Sequence, residues 1–308
     1  MATPAPTVPA APPRAATVLV LRAAAPEASP APDGGDGSDV EVLLVRRSHR
    51  ASFMANAYVF PGGRVDAADA VAEPAEPQAA ADPVYPARRA AARELAEEVG
   101  LRVSDLGQLV RFAHWITPSA EPKRFDTEFF LWALPSPAVR PAGPPLPELT
   151  VQVDGREVFD PLWITPAAAL DRYAQGTLNL PPPTVCTLED LAAEIAAARA
   201  APGAGLAQSA ALLPALMTRC AARQPLPALP KFCASDAGEL AIVMPWDPQY
   251  PELPGEGQPF PALAHGAALV PRRIRRCQLR LQDATAPASA TAQPTSLEVP
   301  WTVERADL

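Results

Sequence analysis

The stretch ARRAAARELAEEVGL is the feature that most limits how this chain can fold. Ala91, Leu95 and Val99 recur every four residues, which places them in one stripe along an α-helix. Pro86 suits the first turn of this helix, and Gly100 suits its C-terminal cap. The pattern therefore predicts a helix with one apolar face, which needs a sheet or another helix to cover it.

The opposite side of the predicted helix carries three carboxylates, from Glu94, Glu97 and Glu98. Residues at i, i+3 and i+4 share a helix face, so the three acids lie together and repel one another. A solvated face with weak ion pairs to the preceding arginines is one interpretation, and the helix taken alone favours it. A site for a hard divalent cation, which prefers carboxylate oxygens, is the other.

The rest of the chain predicts one mixed α/β domain without internal repeats. Runs typical of strands are 16–23, 40–48, 58–66, 106–117, 124–135, 149–165 and 239–244, and helical patterns are 166–174, 187–201 and 207–222. The proposed organisation is a disordered tail (1–14), the domain (15–222), a Pro-rich extension packing on it (223–282) and a loosely ordered tail (283–308).

Composition excludes several classes of protein. A formal net charge of -8 argues against a broad basic surface for nucleic acid. The four cysteines are far apart and form no C-x-x-C pair, so we expect no zinc knuckle and a reduced, cytoplasmic setting. The apolar run at 17–21 is too short for a signal or membrane segment, and we therefore expect no membrane association.

Arg93 to Leu101, read with the Gly62-Gly63 turn before it, resembles the Nudix hydrolase signature G-x5-E-x7-R-E-U-x-E-E-x-G-U, where U is a bulky aliphatic residue. The second half of the signature matches at every defined position. The first half departs from it: Asp69 stands where the family has Glu, and 23 residues instead of seven separate it from Arg93. The 16 extra residues must loop out, at little additional closure entropy.

Three longer blocks point to one branch of that family. LLVRRSHRASFMANAYVFPGGRVDAAD, HWITPSAEPKRFDTEFFLWALP and DPLWITPAAALDRYAQGTLNLPPPT resemble the "motif 19" group, and the likeness covers about residues 16–200. The animal members of this group are peroxisomal coenzyme A diphosphatases with an expanded box. The resemblance implies an α/β/α sandwich with a mixed sheet and a metal site on the strand-turn-helix.

The resemblance also implies roles for individual residues. Glu94, Glu97 and Glu98 would bind Mg²⁺ or Mn²⁺, and Arg93 would orient one of them. Gly63 would let the turn approach these acids closely, and Gly62 and Gly63 would contact the substrate. Glu97 or Glu98 is the first choice for the general base. Glu128, or Asp126 beside it, is the reserve; the alternative for both is a polar position on a half-buried strand.

Other residues keep two interpretations each. Lys123 and Arg124 contact substrate phosphates or are solvated loop charges. Trp115 flanks a planar group or belongs to the core. The prolines 181–183 form a stiff extended segment that shapes the pocket or only links to the next helix. The arginines at 272, 273, 275 and 276 are better interpreted as a surface strand or partner contact than as a phosphate site.

The predicted function is metal-dependent hydrolysis of a nucleoside-diphosphate-linked small molecule. Coenzyme A or acyl-coenzyme A is the best choice of substrate, with 4'-phosphopantetheine and adenosine 3',5'-bisphosphate as products. The alternatives are an ADP-ribose or NADH pyrophosphatase, a non-catalytic metabolite-binding module, and a scaffold with a Pro-rich interaction tail. The sequence leaves a homodimer open.

Overall fold

The computed structural model describes residues 11–24, 40–51, 54–71, 82–118, 121, 123–134, 150–201, 209–234, 240–245, 274–279 and 301–305. Residues 1–10 of the predicted tail, residues 72–81 of the long box insertion, Arg272, Arg273 and most of 283–308 lie outside this set. The domain boundaries proposed above stay a prediction.

A mixed sheet forms the centre of the fold, with the strand order β3-β2-β1-β6-β5-β8; β4 also pairs with β1, and β7 with β2. Its strands are β1 (Arg14–Ala23), β2 (Val40–Arg47), β3 (Tyr58–Val59), β4 (Gly62–Arg64), β5 (Val110–Ile116), β6 (Asp126–Ala133), β7 (Val158–Ile164) and β8 (Pro227–Ala228). β1 lies parallel to β6, whereas its pairs with β2 and β4 are antiparallel. β1 is therefore the central strand to which the rest of the sheet is registered.

Helices cover both faces of this sheet. They are α1 (Tyr85–Val99), α2 (Pro166–Ala174), α3 (Pro182–Arg199) and α4 (Ser209–Ala221). Alternate residues of β1 belong to different cores: Leu19 and Leu21 pack with α3 and α4, whereas Val18 and Val20 pack with α1. The predicted α/β/α sandwich is confirmed.

The apolar stripe of α1 is buried as the spacing predicted. Ala91, Leu95 and Val99 are fully inaccessible and pack against β1, β2 and β6. Gly100 caps the helix in the left-handed conformation, with φ of 74°. The acidic face of α1 is thereby fixed relative to the sheet.

The C-terminal half brings one correction. The prolines 181–183 are not an extended segment, because Pro181 is the N-cap residue and Pro182 and Pro183 open α3, a position that tolerates a missing N–H. A second sheet has the order β12-β11-β10-β9, from β9 (Lys231–Ala234), β10 (Leu240–Val243), β11 (Ile274–Leu279) and β12 (Trp301–Arg305). No helix among the described residues is long and apolar enough to cross a bilayer.

Candidate functional site

The Gly62-Gly63 turn lies directly against the acidic face of α1. The Gly62 N–H donates a 2.8 Å hydrogen bond to Oε2 of Glu98. A Cβ at Gly63 would lie 2.3 Å from the carboxylate carbon of Glu94, so only glycine lets these groups approach so closely. The turn and the helix therefore meet as the signature requires, despite the long insertion between them.

Arg93 is the centre of a charge network that includes the altered signature residue. Its guanidinium donates to both carboxylate oxygens of Asp69, at 3.3 and 3.0 Å, and to the Arg64 carbonyl at 2.9 Å. It also contacts Glu94 at 3.0 Å and Glu97 at 3.1 Å. Asp69 is only 4% exposed and lies in a 3-10 turn at Ala67–Ala70. Its shorter side chain therefore reaches the arginine even though the spacing of the signature is lost.

The two innermost acids of α1 are poorly solvated. Burial raises the pKa of Glu98 to about 8, and Glu94 and Glu157 add to the shift, while the Gly62 N–H and Arg47 oppose it. Burial also raises the pKa of Glu94, against the pull of Arg93. Glu97 is different, since its side chain is 58% exposed. Positive charge brought beside Glu98 and Glu94 would therefore stabilise their ionised forms.

A cavity of about 530 Å³ opens beside these carboxylates. Its acidic wall contains Glu94, Glu97 and Glu98, and the cations around it are Arg47, Arg64 and Lys123. Its lining also includes the acid Glu121 and many apolar side chains, among them Phe60, Trp115, Phe129 and the prolines 181–183. An elongated ligand with an anionic part and a less polar part matches this combination.

Glu157 is a site residue that the sequence reasoning missed. It lines the same cavity, and its charge contributes to the raised pKa of both Glu94 and Glu98. It enters from the segment before β7, outside the signature. An acid directly before a strand that pairs with β2 was the available signal, but only the register of that pair brings it to α1.

Glu128 and Asp126 are held on a different part of the sheet. The Glu128 carboxylate forms two hydrogen bonds with Arg111, at 2.6 and 2.7 Å, and is 4% exposed. Asp126 contacts Nε2 of His114. Neither acid lines the cavity. The neighbouring residues Thr127 and Phe129 do, because side chains alternate along β6.

The remaining candidates divide as follows. Lys123 lines the cavity, as does Trp115, which is also 4% exposed within the core. Arg124 does not line it and donates instead to the Thr117 carbonyl at 3.0 Å. Gly62 and Gly63 both line the cavity. Of the predicted substrate contacts, Gly62, Gly63 and Lys123 thus line one cavity, whereas Arg124 does not.

The chemistry of these side chains suits a hard divalent cation. Carboxylate oxygens are its preferred ligands, and the under-solvated Glu98 would gain most from a neighbouring cation. Within the described part of the chain, however, no three His, Cys, Asp or Glu side chains already converge at coordinating distances. The carboxylates of Glu94 and Glu97 form ion pairs with Arg93 instead. The carboxylates are thus of the right chemical type for the ion, but they are not yet arranged around a single coordination site.

Comparison with protein families matches the chain in two adjacent pieces. Residues 13–84 match the model described as the NUDT19 Nudix domain, and residues 83–181 match the NUDIX domain. Together the two matches span more than half of the chain. They cover the turn, α1 and every residue of the acidic wall.

Curated relatives agree with these matches. "Acyl-coenzyme A diphosphatase NUDT19" of Gallus gallus is 26% identical over 257 residues, covering 55% of this chain and 65% of that protein. "Putative nudix hydrolase 7" of Caenorhabditis elegans is 28% identical over 184 residues, covering 49% of this chain and 55% of the relative. The chain thus spans less than two thirds of either protein. A solved NUDIX hydrolase from Alicyclobacillus acidocaldarius is 27% identical, with a TM-score of 0.41, over 58% of this chain and 90% of that one.

Proposed function

Because the chain belongs to the Nudix superfamily, we propose that it is a Mg²⁺- or Mn²⁺-dependent hydrolase of nucleoside-diphosphate-linked small molecules. The observation that carries this proposal is the cavity that the acids of α1 line together with apolar side chains. The acids suit a metal-bridged diphosphate, and the apolar side chains suit the remainder of the ligand.

Every charged residue that lines the cavity except Glu121 has a proposed task. Glu94, Glu97 and Glu98 hold the metal, and Glu157 adds a fourth carboxylate from the segment before β7. Arg93 fixes Glu94 and Glu97 in place and is itself anchored by Asp69. Arg47, Arg64 and Lys123 lie where anionic phosphate oxygens would need positive partners. When bound, the divalent ion supplies charge neutralisation on the phosphates and activation of a water molecule.

Glu98 is the acid best suited to move a proton. It lines the cavity, the Gly62 N–H fixes one of its oxygens, and burial raises its pKa, which makes this carboxylate a stronger proton acceptor than an exposed glutamate. Glu97, more exposed, is the alternative base. Glu128 is left out of this proposal, because Arg111 already neutralises it outside the cavity.

Coenzyme A or an acyl-coenzyme A is the substrate we propose. The support is the likeness to a relative named acyl-coenzyme A diphosphatase and the apolar side chains beside the acids, which suit a long and only partly polar substituent. Cleavage of the diphosphate would release adenosine 3',5'-bisphosphate and 4'-phosphopantetheine or its acyl form.

The test is product analysis by chromatography and mass spectrometry. Coenzyme A, an acyl-coenzyme A, ADP-ribose, NADH and diadenosine polyphosphates are each incubated with the protein and Mg²⁺ or Mn²⁺, with and without a chelator. We expect adenosine 3',5'-bisphosphate from the coenzyme A substrates, and none after chelation. Cleavage confined to ADP-ribose or NADH would replace the proposed substrate, and no cleavage despite metal binding would favour a binding module.

Variants locate the activity in the cavity. Glu97→Gln and Glu98→Gln should each lower turnover by at least about two orders of magnitude, because each removes a metal ligand or the base. Glu41→Gln is the matched control, since Glu41 pairs with Arg22 and does not line the cavity. Full activity in both cavity variants would contradict the proposed site.

A further inference from the structure

Glu157 reaches the cavity on a segment that is fastened to the end of α1. The Gln152 N–H donates to the Val99 carbonyl and the Asp154 N–H donates to the Glu98 carbonyl, both at 3.0 Å. Carbonyls in the last turn of a helix have no partner within the helix, so this segment satisfies two of them. Glu98, whose carboxylate is a proposed metal ligand, thus also binds the segment that carries Glu157 through its backbone carbonyl.

Asp154 then folds the next four residues into a tight turn. Its Oδ1 accepts from the backbone N–H groups of Arg156, Glu157 and Val158, at 3.0, 3.2 and 3.1 Å. Gly155 adopts a φ of 65°, which glycine enters without steric cost. Partial burial opposes the charge on Asp154, but the backbone donors outweigh it and lower its pKa. Its Oδ2 also accepts from the Glu157 N–H, at 3.2 Å, so the turn is organised around this one carboxylate.

The far side of Glu157 is fixed as well. Its carbonyl accepts from the Ser48 N–H at 2.9 Å, directly after Arg47 at the end of β2. The backbone of Glu157 is consequently held at both its N–H and its carbonyl. Only the N–H partner is a side chain, and so only this partner can be removed by substitution.

We propose that Asp154 is a positioning residue that aims Glu157 at the carboxylates of Glu94 and Glu98. Asp154 does not line the cavity, so it acts through Glu157. The inference rests on the proposed function, since it assumes that Glu157 serves the metal site. Asp154 lies at the surface, where water can replace it as an acceptor, and its loss should therefore disturb Glu157 more than the fold.

The experiment compares Asp154→Ala, Asp154→Asn, Glu157→Gln and the double variant Asp154→Ala/Glu157→Gln. Asp105→Ala is the matched control, because Asp105 also accepts from a backbone N–H two residues on, that of Gly107 in a 3-10 turn, and does not line the cavity. Turnover of an acyl-coenzyme A and the affinity for Mn²⁺ are measured for each, together with the melting temperature. Mn²⁺ affinity needs no substrate and reports on the carboxylates directly.

We expect Glu157→Gln and Asp154→Ala each to weaken Mn²⁺ binding and turnover by about tenfold or more, as supporting residues of metal sites commonly do. The double variant should match Glu157→Gln within about twofold, because residues acting as one unit are not additive. Asp154→Asn keeps the accepting Oδ1 and should recover most of both properties. Asp105→Ala should resemble the wild type.

Wild-type behaviour of either Asp154→Ala or Glu157→Gln would overturn the inference and leave the proposed function in place. A full additional loss when Asp154→Ala is added to Glu157→Gln would also overturn it, since Asp154 would then act independently of Glu157. A wild-type protein that binds Mn²⁺ but cleaves no diphosphate would end the proposed function. The Mn²⁺ affinities would still decide the role of Asp154.

Discussion

At the scale of single residues, the site is built from a carboxylate that is costly to ionise. Glu98 is 5% exposed and has one hydrogen-bond donor on Oε2, the Gly62 N–H. A buried carboxylate with a single hydrogen-bond donor has a pKa well above that of an exposed glutamate, unless a cation lies beside it. The stability of the metal-free protein should therefore report on Glu98.

The first prediction concerns pH and Glu98. The pKa of Glu98 in the folded protein, about 8, exceeds its pKa in the unfolded chain. At pH values between these two pKa values the folded state binds more protons than the unfolded state, so the free energy of unfolding falls as the pH rises. In chelator, the wild-type melting temperature should fall between about pH 5 and pH 9, whereas Glu98→Gln should be flatter. At pH 9 the variant should be more stable by on the order of 2 kcal/mol.

Thermal denaturation across pH measures this difference. Added Mn²⁺ should narrow the gap at high pH, because the cation stabilises the ionised Glu98 of the wild type. Parallel pH profiles for the two proteins would contradict the placement of a neutral acid at this position.

The second prediction separates the two glycines of the turn. A Cβ at Gly63 would meet the carboxylate of Glu94, a group that can move, so Gly63→Ala should lower turnover at least about tenfold with little loss of stability. A Cβ at Gly62 would lie 2.3 Å from the Ala16 carbonyl and 2.6 Å from the Thr17 Cα, which cannot move easily. Gly62→Ala should therefore lower the melting temperature, and the reverse pattern would contradict this assignment.

At the scale of elements, strand alternation decides which side chains of β6 reach the cavity. Along β6, Thr127 and Phe129 line the cavity, whereas Glu128 alternates with them and shares a strand face with Phe130, which packs with α1. Glu128 meets Arg111 there, across the antiparallel pair with β5. β5 and β6 thus contribute side chains to the cavity on one face and the Glu128–Arg111 ion pair on the other.

The third prediction concerns the ion pair between Glu128 and Arg111. Glu128→Gln removes one partner of a mostly buried ion pair and should destabilise the fold by about 1–3 kcal/mol. Turnover below the melting transition should stay within about tenfold of wild type, because the carboxylate is outside the cavity. A hundredfold loss with unchanged stability would instead restore Glu128 as the general base.

At the scale of the whole molecule, β1 joins the two halves of the site. Ala15 and Ala16 pair with Arg64 and Gly63 of the turn on one side and with Thr127 and Glu128 on the other. The start of this strand also accepts hydrogen bonds from Val65, at Arg14, and from Asp126, at Pro13. The site therefore depends on residues close to the beginning of the sequence.

The fourth prediction is a pair of truncations. Removing residues 1–10 should leave turnover and melting temperature unchanged, whereas removing 1–16 deletes ladder partners of β4 and β6 and part of the cavity wall. The longer truncation should lose soluble, active protein. Equal activity and stability of the two truncated proteins would contradict the central place of β1. Loss of partner binding on removal of residues 1–10, with activity intact, would support an interaction role for the tail.

The sequence by itself determined the local features of this protein. The four-residue stripe of Ala91, Leu95 and Val99 and the glycine cap defined α1, and alternation and turn residues located most strands, because these signals act between neighbours in the chain. The match from Arg93 to Leu101 identified the acidic wall for the same reason.

Only the tertiary structure decided which distant residues meet. Asp69 reaches Arg93 across an insertion, Glu157 enters through the register of β7 with β2, and Glu128 is taken by Arg111. Each outcome depends on strand pairing and on which face a side chain occupies. A shift of one residue in register reverses that face, so the periodicity of a single strand cannot decide it.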